Sequence, residues 1–283
     1  MQKIAYQGVP GAYSHIAASY LFPSPKLTGF DNFEAVFESV KVGKAAFAVL
    51  PFENTLVGSI YDVFDLLYKY DFKIRGEISL RIDHNLLGIG KLNQVKQVYS
   101  HQKALEQCKD FIKARKLKSV VFEDTAAGAE FVARKKNPKA GAIASLHAAH
   151  LYKLNILKAQ IQSNQENFTR FVIIGKRNHV KRANKTSIVF AAAHKPGSLL
   201  ECLKPFAQAY LNLTKIQSRP LIGSPWSYLF YLDFEHPVDN KTVTEVLSQV
   251  KPHTQMLRKL GTYQNGPTLI EIMVGLTPGI TVL

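Results

Sequence analysis

The alternation of short apolar runs with segments of helical periodicity is the feature that most limits how this chain can fold. Lys3–Tyr6 predicts a strand, and a glycine-rich turn after it leads to a helix from Tyr13. The same order returns after Ala45–Phe52, an apolar run that predicts a parallel strand buried on both faces. Strands that alternate with helices form layered α/β structures, so we expect an α/β domain of two lobes with a cleft between them.

Five turns from a predicted strand into a predicted helix carry polar side chains. Such turns lie at the carboxyl ends of strands, where open α/β sheets bind their ligands. The five turns are centred on Gln7, Asn54, Ser100, Thr125 and Ser145. A helix cap or a tight turn explains each residue taken alone, and Ser100 in particular is predicted to cap a helix. Their coincidence predicts a ligand site in the cleft.

The segment Asn167–Phe171 leads directly into Val172–Gly175, a β-branched apolar run that predicts a buried strand. The hydroxyl of Thr169 can donate a proton or a hydrogen bond to a leaving oxygen. The planar guanidinium of Arg170 matches a carboxylate or a phosphate. A strand that simply ends in polar residues is the plainer interpretation of this segment when it is taken alone.

The composition changes over Lys176–Lys185, which is polar, basic and without long apolar spacing. After this segment the predicted elements follow in the order strand, helix, strand, strand, helix, strand. That order is typical of a ferredoxin-like βαββαβ module. We therefore expect a second domain after a linker.

A net charge of +15 raises the possibilities of a polyanion ligand and of a site that attracts small anions. The basic residues are scattered, and the one cluster is formed by Lys176, Arg177, Lys181, Arg182 and Lys185. It has no aromatic-rich nucleic-acid motif beside it, so a basic linker is favoured and no nucleic acid is expected as a partner.

Cys108 and Cys202 are too few for a disulfide scaffold and lack the spacing of metal ligands. No apolar run approaches the length needed to cross a bilayer, and the first residues lack a charged and apolar leader. We expect a soluble, cytoplasmic protein in a reducing compartment, without a membrane partner.

Six motifs occur along the first part of the chain in a fixed order. They are Gly8–His15, Pro51–Gly58, Ser100–Cys108, Asp124–Ala127, Gly141–Ser145 and Asn167–Phe171. Together they resemble prephenate dehydratase. Two later motifs, Pro196–Leu200 and Gln217–Pro220, look like the effector motifs of the ACT domain in that family.

The resemblance implies a bilobal, periplasmic-binding-protein-like catalytic domain over residues 1–178 and a ferredoxin-like ACT regulatory domain over 186–275. It also implies a lyase of phenylalanine biosynthesis that removes carbon dioxide and hydroxide from prephenate to give phenylpyruvate. The family needs neither a metal nor an organic cofactor. A homodimer or tetramer with L-phenylalanine as its allosteric effector is implied as well.

The resemblance assigns roles to individual residues. The implied catalytic residues are Thr169, Arg170, Asn54, Ser100 and Gln107. The implied substrate-binding residues are Ser14, Thr55, Thr125, Ser145 and Phe171. The implied effector-binding residues are Gly197, Ser198, Leu199, Leu200, Asn212, Leu213, Gln217, Ser218, Arg219 and Pro220. His101 is expected to orient other groups at a helix start rather than to act as a general base.

The chain departs from the family pattern at two places that matter. Gln102 and Lys103 stand where the family has Pro-Gln, which adds a positive charge near the predicted cleft. Gln217 replaces a glutamate and so removes a carboxylate from the second effector motif. Two alternatives remain open: an arogenate dehydratase, which performs the same elimination on the amino analogue, and a non-enzymatic sensor of small anions and amino acids.

Overall fold

The computed structural model describes residues 3–22, 26–177, 182–221, 223–224, 226–238 and 240–269. These residues divide into two compact units. The first unit contains the described residues of 3–66, 78–172 and 267–269. The second contains those of 67–77 and 173–266. Within the described ranges, no helix is long and apolar enough to span a membrane.

The strands and helices are numbered here in chain order. The strands are β1 Lys3–Gln7, β2 Lys26–Phe30, β3 Phe47–Asn54, β4 Gly58–Ser59, β5 Lys73–Arg81, β6 Asn85–Gly88, β7 Gln97–His101, β8 Lys118–Phe122, β9 Ala140–Ala144, β10 Asn155–Lys158, β11 Phe168–Gly175, β12 Lys185–Ala192, β13 Leu213–Pro220, β14 Tyr228–Glu235, β15 Thr254–Tyr263 and β16 Thr268–Leu269. The helices are α1 Tyr13–Leu21, α2 Phe33–Lys41, α3 Tyr61–Tyr70, α4 Gln102–Gln107, α5 Lys109–Ala114, α6 Thr125–Lys135, α7 Leu146–Tyr152, α8 Ser198–Gln208 and α9 Asn240–Val250.

Two sheets contribute to the first unit, as the expectation of two lobes requires. The first sheet has the strand order β16-β5-β11-β3-β1-β2, with the short β4 paired to β3. The predicted parallel strand is confirmed, because β3 pairs in parallel with β1 and its Ala48, Val49 and Leu50 are fully buried. The second sheet has the order β10-β6-β9-β7-β8. The mixed α/β class is therefore confirmed.

Helices begin in this unit where short polar side chains can accept from the first free backbone N–H groups. Asn32 accepts from the N–H of Ala35 at the start of α2, and Asp124 accepts from the N–H of Ala127 at the start of α6. Each of these caps satisfies a donor that would otherwise lack a partner. The helix predicted after the turn at Thr125 is confirmed.

Two details of the segment around Ser100 were predicted wrongly. Ser100 lies inside β7, and the residue that caps α4 is His101, whose side chain accepts from the N–H of Lys103. The helical segment after Ser100 is divided at Cys108 into α4 and α5, because Cys108 has φ −105° and ψ 14°.

The second unit contains an antiparallel four-stranded sheet with the order β13-β14-β12-β15. Helices α8 and α9 alternate with these strands in the order βαββαβ, so the predicted ferredoxin-like module is observed. Its core contains Phe190, Phe206 and Phe234, all fully buried. The limits 1–178 and 186–275 remain a prediction, since residues 178 and 275 lie outside the described residues.

The basic linker needs one correction. Lys185 is the first residue of β12 and not part of a solvated cluster. Its ammonium lies 2.8 Å from Oε1 of Glu77 on β5, and the two side chains are only 7% and 4% exposed. A buried ammonium needs a paired carboxylate, which explains why this lysine lies in the interior. Lys181, another member of the cluster, lies outside the described residues.

Replacing Lys185 with Met should lower the free energy of unfolding by about 3 to 5 kcal/mol, because the carboxylate of Glu77 stays buried without its ammonium. The double variant Lys185→Met/Glu77→Leu should recover most of that loss, since no charge is then left buried. Urea unfolding followed by circular dichroism measures both effects.

Lys204→Met is the matched control, because its ammonium pairs with Glu201 on the surface with 49% and 43% of the two side chains exposed. It should change the free energy of unfolding by less than about 1 kcal/mol. Equal losses in the two lysine variants would contradict the buried pair.

Candidate active site

A cavity of about 470 Å³ lies in the first unit, and residues from both of its sheets line it. Its volume falls in the range of small-molecule sites, roughly 300 to 1,000 Å³. The polar lining residues are Gln7, Tyr13, Ser14, Asn54, His84, His101, Lys103, Gln107, Glu123, Asp124, Thr125 and Thr169. Phe171 adds an aromatic surface to the lining.

The side-chain amide of Asn54 is fixed in one orientation by the turn that follows β3. Its Oδ1 accepts from the backbone N–H groups of Leu56 at 3.0 Å and Val57 at 2.9 Å. The amide nitrogen therefore points the other way, where its two hydrogens are shared among Oδ1 of Asn167 at 2.8 Å, Oγ1 of Thr169 at 2.9 Å and the carbonyl of Phe168 at 3.1 Å. Because backbone N–H groups can only donate, the two ends of this amide cannot exchange places.

The bond from Asn54 decides what the hydroxyl of Thr169 can do. Thr169 is 8% exposed, and its oxygen already accepts a hydrogen from the amide of Asn54. A hydroxyl has one hydrogen to donate and two positions at which it can accept. Its own hydrogen is consequently available to an acceptor in the cavity.

Gln107 connects the same group of side chains to His84. Its Oε1 lies 3.2 Å from Nδ2 of Asn167 and 2.7 Å from Nε2 of His84. His84 is 2% exposed. The cavity wall thus contains a continuous series of hydrogen bonds from His84 to Thr169.

Both histidines of the cavity have lowered pKa values. Burial lowers the pKa of His84, against a weaker opposing effect of its hydrogen bond to Oε1 of Gln107. Burial also lowers the pKa of His101, although the nearby carboxylate of Asp124 raises it. A lowered pKa favours the neutral imidazole at pH 7.

Arg170, expected to contact substrate, is not brought to the cavity. Successive residues of a strand point to opposite faces, so Arg170 turns away from the side on which Thr169 lies. Its Nη1 lies 3.5 Å from Oε2 of Glu53, and its guanidinium lies 4.9 Å from the ring centroid of Phe52. These contacts pack the side chain of Arg170 against β3, and its guanidinium does not line the cavity.

Two predicted serines are also absent from the lining. Ser100 is fully buried, and its hydroxyl donates to the carbonyl of Ile143 at 2.6 Å. Ser145 caps α7 and donates to the carbonyl of Gly11 at 3.1 Å. Both hydroxyls hold neighbouring segments together, so each acts on the site through the backbone.

Thr55 does not line the cavity but connects two segments that do. Its hydroxyl donates to the carbonyl of Glu166 at 2.8 Å and accepts from the N–H of Phe168 at 2.9 Å. These bonds hold the turn after β3 against the start of β11. They help to keep Asn54 beside Thr169.

The other predicted residues do meet at the cavity. Asn54, Gln107, Ser14, Thr125, Thr169 and Phe171 all line it. The sequence analysis missed Tyr13 and His84. A signal for His84 was present in Asp83–Asn85, three consecutive polar residues that break the alternation of polar and apolar residues in the extended segment before them.

The first group of predicted effector residues lies at the start of α8. Gly197 caps this helix with φ +81°, a conformation that favours glycine. Ser198 is 7% exposed, and within the described ranges its hydroxyl is buried without a hydrogen-bond partner. A cavity of about 280 Å³ is lined by Ser198, Leu199, Trp226 and Tyr228 among others, whereas Leu200 is 59% exposed.

The second group lies along and just before β13. Gln217, Ser218, Arg219 and Pro220 all pair with β14, and Leu213 opens the strand. Asn212 donates to Oε2 of Glu235 at 3.3 Å. In the described part of the second unit, the cavity beside Ser198 contains none of these residues. Ser218 and Pro220 nevertheless pair with Phe230 and Tyr228, two residues that do line this cavity.

The family model described as prephenate dehydratase matches residues 4–179 of this chain. This range includes every residue that lines the larger cavity. The match thus coincides with the part of the chain that carries the site.

The chain also resembles individual proteins. It is 38% identical over 280 residues to arogenate dehydratase 2 of Petunia hybrida, covering 92% of this chain and 71% of that relative. It is 36% identical over 266 residues to the bifunctional chorismate mutase/prephenate dehydratase of Aquifex aeolicus (strain VF5), covering 92% and 73%. A solved structure described as a novel type of quorum quenching acylases has a TM-score of 0.84 and 30% identity, covering 93% of this chain and 98% of that one.

Replacing Asn54 with Asp should lower the free energy of unfolding by about 2 kcal/mol or more, because two donated hydrogen bonds are lost in a buried position. The shape is unchanged, and the bonds accepted from the backbone remain. Urea unfolding at pH 7 measures the loss.

Asn32→Asp introduces the same change at the exposed cap of α2, where the side chain only accepts a hydrogen bond. It should leave the stability unchanged or raise it slightly, since a carboxylate suits a helix start. Equal free energies of unfolding for Asn54→Asp and Asn32→Asp would contradict the stabilising effect of the hydrogen bonds that Asn54 donates.

Proposed function

Because the chain belongs to the prephenate dehydratase family, we propose that it converts prephenate to phenylpyruvate, carbon dioxide and water. The observation that carries this proposal is the hydroxyl of Thr169, which lines the cavity and accepts from Asn54. A hydroxyl held in this way has its hydrogen available for a leaving oxygen.

The reaction breaks two bonds of the substrate ring. The ring carboxylate leaves as carbon dioxide, and the electron pair of its carbon–carbon bond enters the ring. The ring hydroxyl leaves with the electron pair of its carbon–oxygen bond, so the ring becomes aromatic. Hydroxide is a poor leaving group, and a positioned proton donor at its oxygen can accelerate such a step by about a hundredfold to ten-thousandfold.

Thr169 supplies the hydrogen at the leaving oxygen. Asn54 occupies one accepting position of the threonine oxygen, which directs the hydroxyl hydrogen into the cavity. An alkyl alcohol is a weak acid, so Thr169 regains a proton from water as it gives its own to the departing hydroxide. In this proposal Thr169 is a relay, and the net proton comes from solvent.

The two carboxylates of prephenate need positive groups. Lys103 is the permanently positive side chain among the described lining residues. Helix α1 begins beside the cavity at Tyr13, and its cap residue Ala12 offers no side-chain acceptor to the first N–H groups. These N–H groups suit a carboxylate. We assign Arg170 to support of β11 through Glu53 and Phe52 instead of direct contact with the substrate.

Arogenate is the second candidate substrate, and two observations favour it. The Petunia relative is named an arogenate dehydratase. In addition, the carboxylates of Glu123 and Asp124 line the cavity, where they suit the ammonium group that arogenate has in place of a keto oxygen. One group thus distinguishes the substrates, and the ratio of kcat/KM values decides between them.

The solved structure with a TM-score of 0.84 is described as an acylase, so acyl transfer is another candidate reaction. The cavity gives it less support. Acylases activate a nucleophile with a neighbouring base. The hydroxyl of Thr169 instead bonds to an amide, which is not basic. The geometry therefore favours elimination.

We further propose that the second unit is an ACT domain that binds L-phenylalanine. The buried hydroxyl of Ser198, which has no hydrogen-bond partner in the described part of the chain, and the aromatic side chains of Trp226 and Tyr228 suit an amino acid with an aromatic ring. The effector residues predicted on β13 do not themselves line the cavity beside Ser198. We propose a homodimer or tetramer in which two copies complete the effector site.

Thr169→Ala should lower kcat for formation of phenylpyruvate from prephenate by about a hundredfold to ten-thousandfold, with little change in KM. Thr169→Ser keeps the hydroxyl and should keep most of the activity. Arogenate is assayed in parallel through the formation of phenylalanine.

Thr214→Ala in the second unit is the matched control and should leave kcat unchanged. Wild-type protein that turns over neither substrate would overturn the dehydratase proposal. An active Thr169→Ala variant would instead remove the hydroxyl from the mechanism.

L-phenylalanine should inhibit the wild-type protein, and Ser198→Ala should raise the concentration for half inhibition by about threefold to tenfold, the effect of one lost hydrogen bond. The kcat without effector should not change. Steady-state rates at increasing L-phenylalanine measure both quantities.

Ser248→Ala is the control for this variant, because its hydroxyl lies on the surface of α9 and donates to its own helix. L-phenylalanine should inhibit this variant at the same concentration as the wild type. Activity that L-phenylalanine never suppresses would refute the regulatory assignment and leave the dehydratase intact.

A further inference from the structure

We propose that His84 is a positioning residue for the elimination, acting through Thr169. This inference rests on the proposed function. His84 lies just before β6, lines the cavity and belongs to none of the motifs that mark the family resemblance. The three side chains between it and Thr169, namely Asn54, Asn167 and Gln107, are called the amide chain below.

The backbone N–H groups after Asn54 determine which end of each amide in the chain donates. The N–H groups of Leu56 and Val57 hold Oδ1 of Asn54, so its nitrogen must face Asn167. Asn167 consequently presents its oxygen to Asn54 and its nitrogen to Gln107. Each amide has one accepting end and one donating end, so a fixed first member fixes the next.

The same reasoning determines the proton position on His84. Gln107 receives a hydrogen from Asn167, so the atom that it presents is its oxygen. That oxygen lies 2.7 Å from Nε2 of His84, which must therefore carry a hydrogen to form a bond. The hydrogen-bond pattern therefore places a hydrogen on Nε2, and in the neutral ring Nδ1 is then an acceptor. Burial, which lowers the pKa of His84, agrees with the neutral form.

The opposite proton position would disturb the whole amide chain. A lone pair on Nε2 would face the oxygen of Gln107, and rotation of Gln107 would then set two amide nitrogens against each other at Asn167. Rotation of Asn167 would only move the conflict to Asn54, which the backbone N–H groups prevent from rotating. With a hydrogen on Nε2, every side chain of the amide chain can therefore form its hydrogen bonds.

The surroundings of His84 hold its ring in place. Its backbone N–H donates to Oε1 of Gln162 at 2.9 Å, and Gln162 donates to Oδ1 of Asp83 at 2.9 Å. The ring meets that of Tyr13 edge-on, with 6.3 Å between centroids. Nδ1 is buried and has no hydrogen-bond partner among the described residues. Buried polar atoms are usually paired. The orientation of this ring therefore satisfies the hydrogen bond at Nε2 and leaves Nδ1 unsatisfied.

Loss of the donor on Nε2 should affect turnover more than binding. Without it, the oxygen of Gln107 loses one of its two hydrogen bonds, so Gln107 and Asn167 can shift in position although their amides keep their orientation. The two hydrogens of the Asn54 amide are shared among the oxygens of Asn167, Phe168 and Thr169, so a shift of Asn167 changes the share that reaches Thr169. The hydroxyl hydrogen spends less time pointed at the leaving oxygen, which lowers kcat while the substrate carboxylates remain bound as before.

The experiment compares His84→Leu, which removes the donor, with His84→Gln, which keeps an N–H group. His84→Leu should lower kcat on prephenate by about threefold to tenfold, corresponding to one hydrogen bond, with KM changed less than about twofold. His84→Gln should recover most of that loss. His150→Leu on the exposed face of α7 is the control and should match the wild type.

A double-mutant cycle with Thr169→Ala distinguishes positioning from a structural role. If His84 acts through Thr169, His84→Leu should cause no further loss of kcat in the Thr169→Ala background. Multiplicative losses would overturn the proposal, because His84 would then act independently of the hydroxyl.

The ¹⁵N resonances of the imidazoles provide a readout that does not depend on activity. A neutral His84 with its proton on Nε2 is expected, and a proton on Nδ1 would overturn the inference even if His84→Leu failed to fold. Wild-type protein without activity on prephenate or arogenate would refute the proposed function, whereas the ring's proton position would still test the amide chain.

Discussion

The two hydrogen bonds from the backbone to Oδ1 of Asn54 are the constraint on which the rest of the site depends. An asparagine amide has nearly the same shape in both orientations, so only its partners decide which end donates. Here the turn after β3 supplies partners that can only donate. Every later side chain in the amide chain inherits its orientation from that turn, up to His84 on one side and Thr169 on the other.

Local patterns predicted much of the fold because the relevant physics is local. Apolar runs predicted β1 and β3, and the polar turn at Thr125 predicted the start of α6. Asn54, Gln107 and Thr169 were also found from sequence, since each lies in a motif. Ser100 was misplaced because a serine before a helix looks like a cap, while its actual acceptor, the carbonyl of Ile143, is distant in the chain.

The remaining errors concern the direction in which a side chain points, which the residue type alone does not reveal. Arg170 follows Thr169 in the same strand and is chemically suited to a carboxylate, yet the alternation of side chains sends it to Glu53. Lys185 belonged to a basic cluster in sequence, yet its ammonium is buried against Glu77 from a strand more than a hundred residues earlier. His84 was missed because its partner, Gln107, comes from α4 and not from its own segment.

The amide chain also determines how the site ages chemically. Asparagine and glutamine side chains are among the thermolabile groups of proteins, because water can convert an amide to a carboxylate. One such event at Asn54, Asn167 or Gln107 would replace a donor with an acceptor without cutting the backbone. The working lifetime of this site at elevated temperature is therefore limited by the survival of three amide groups as well as by the persistence of the fold.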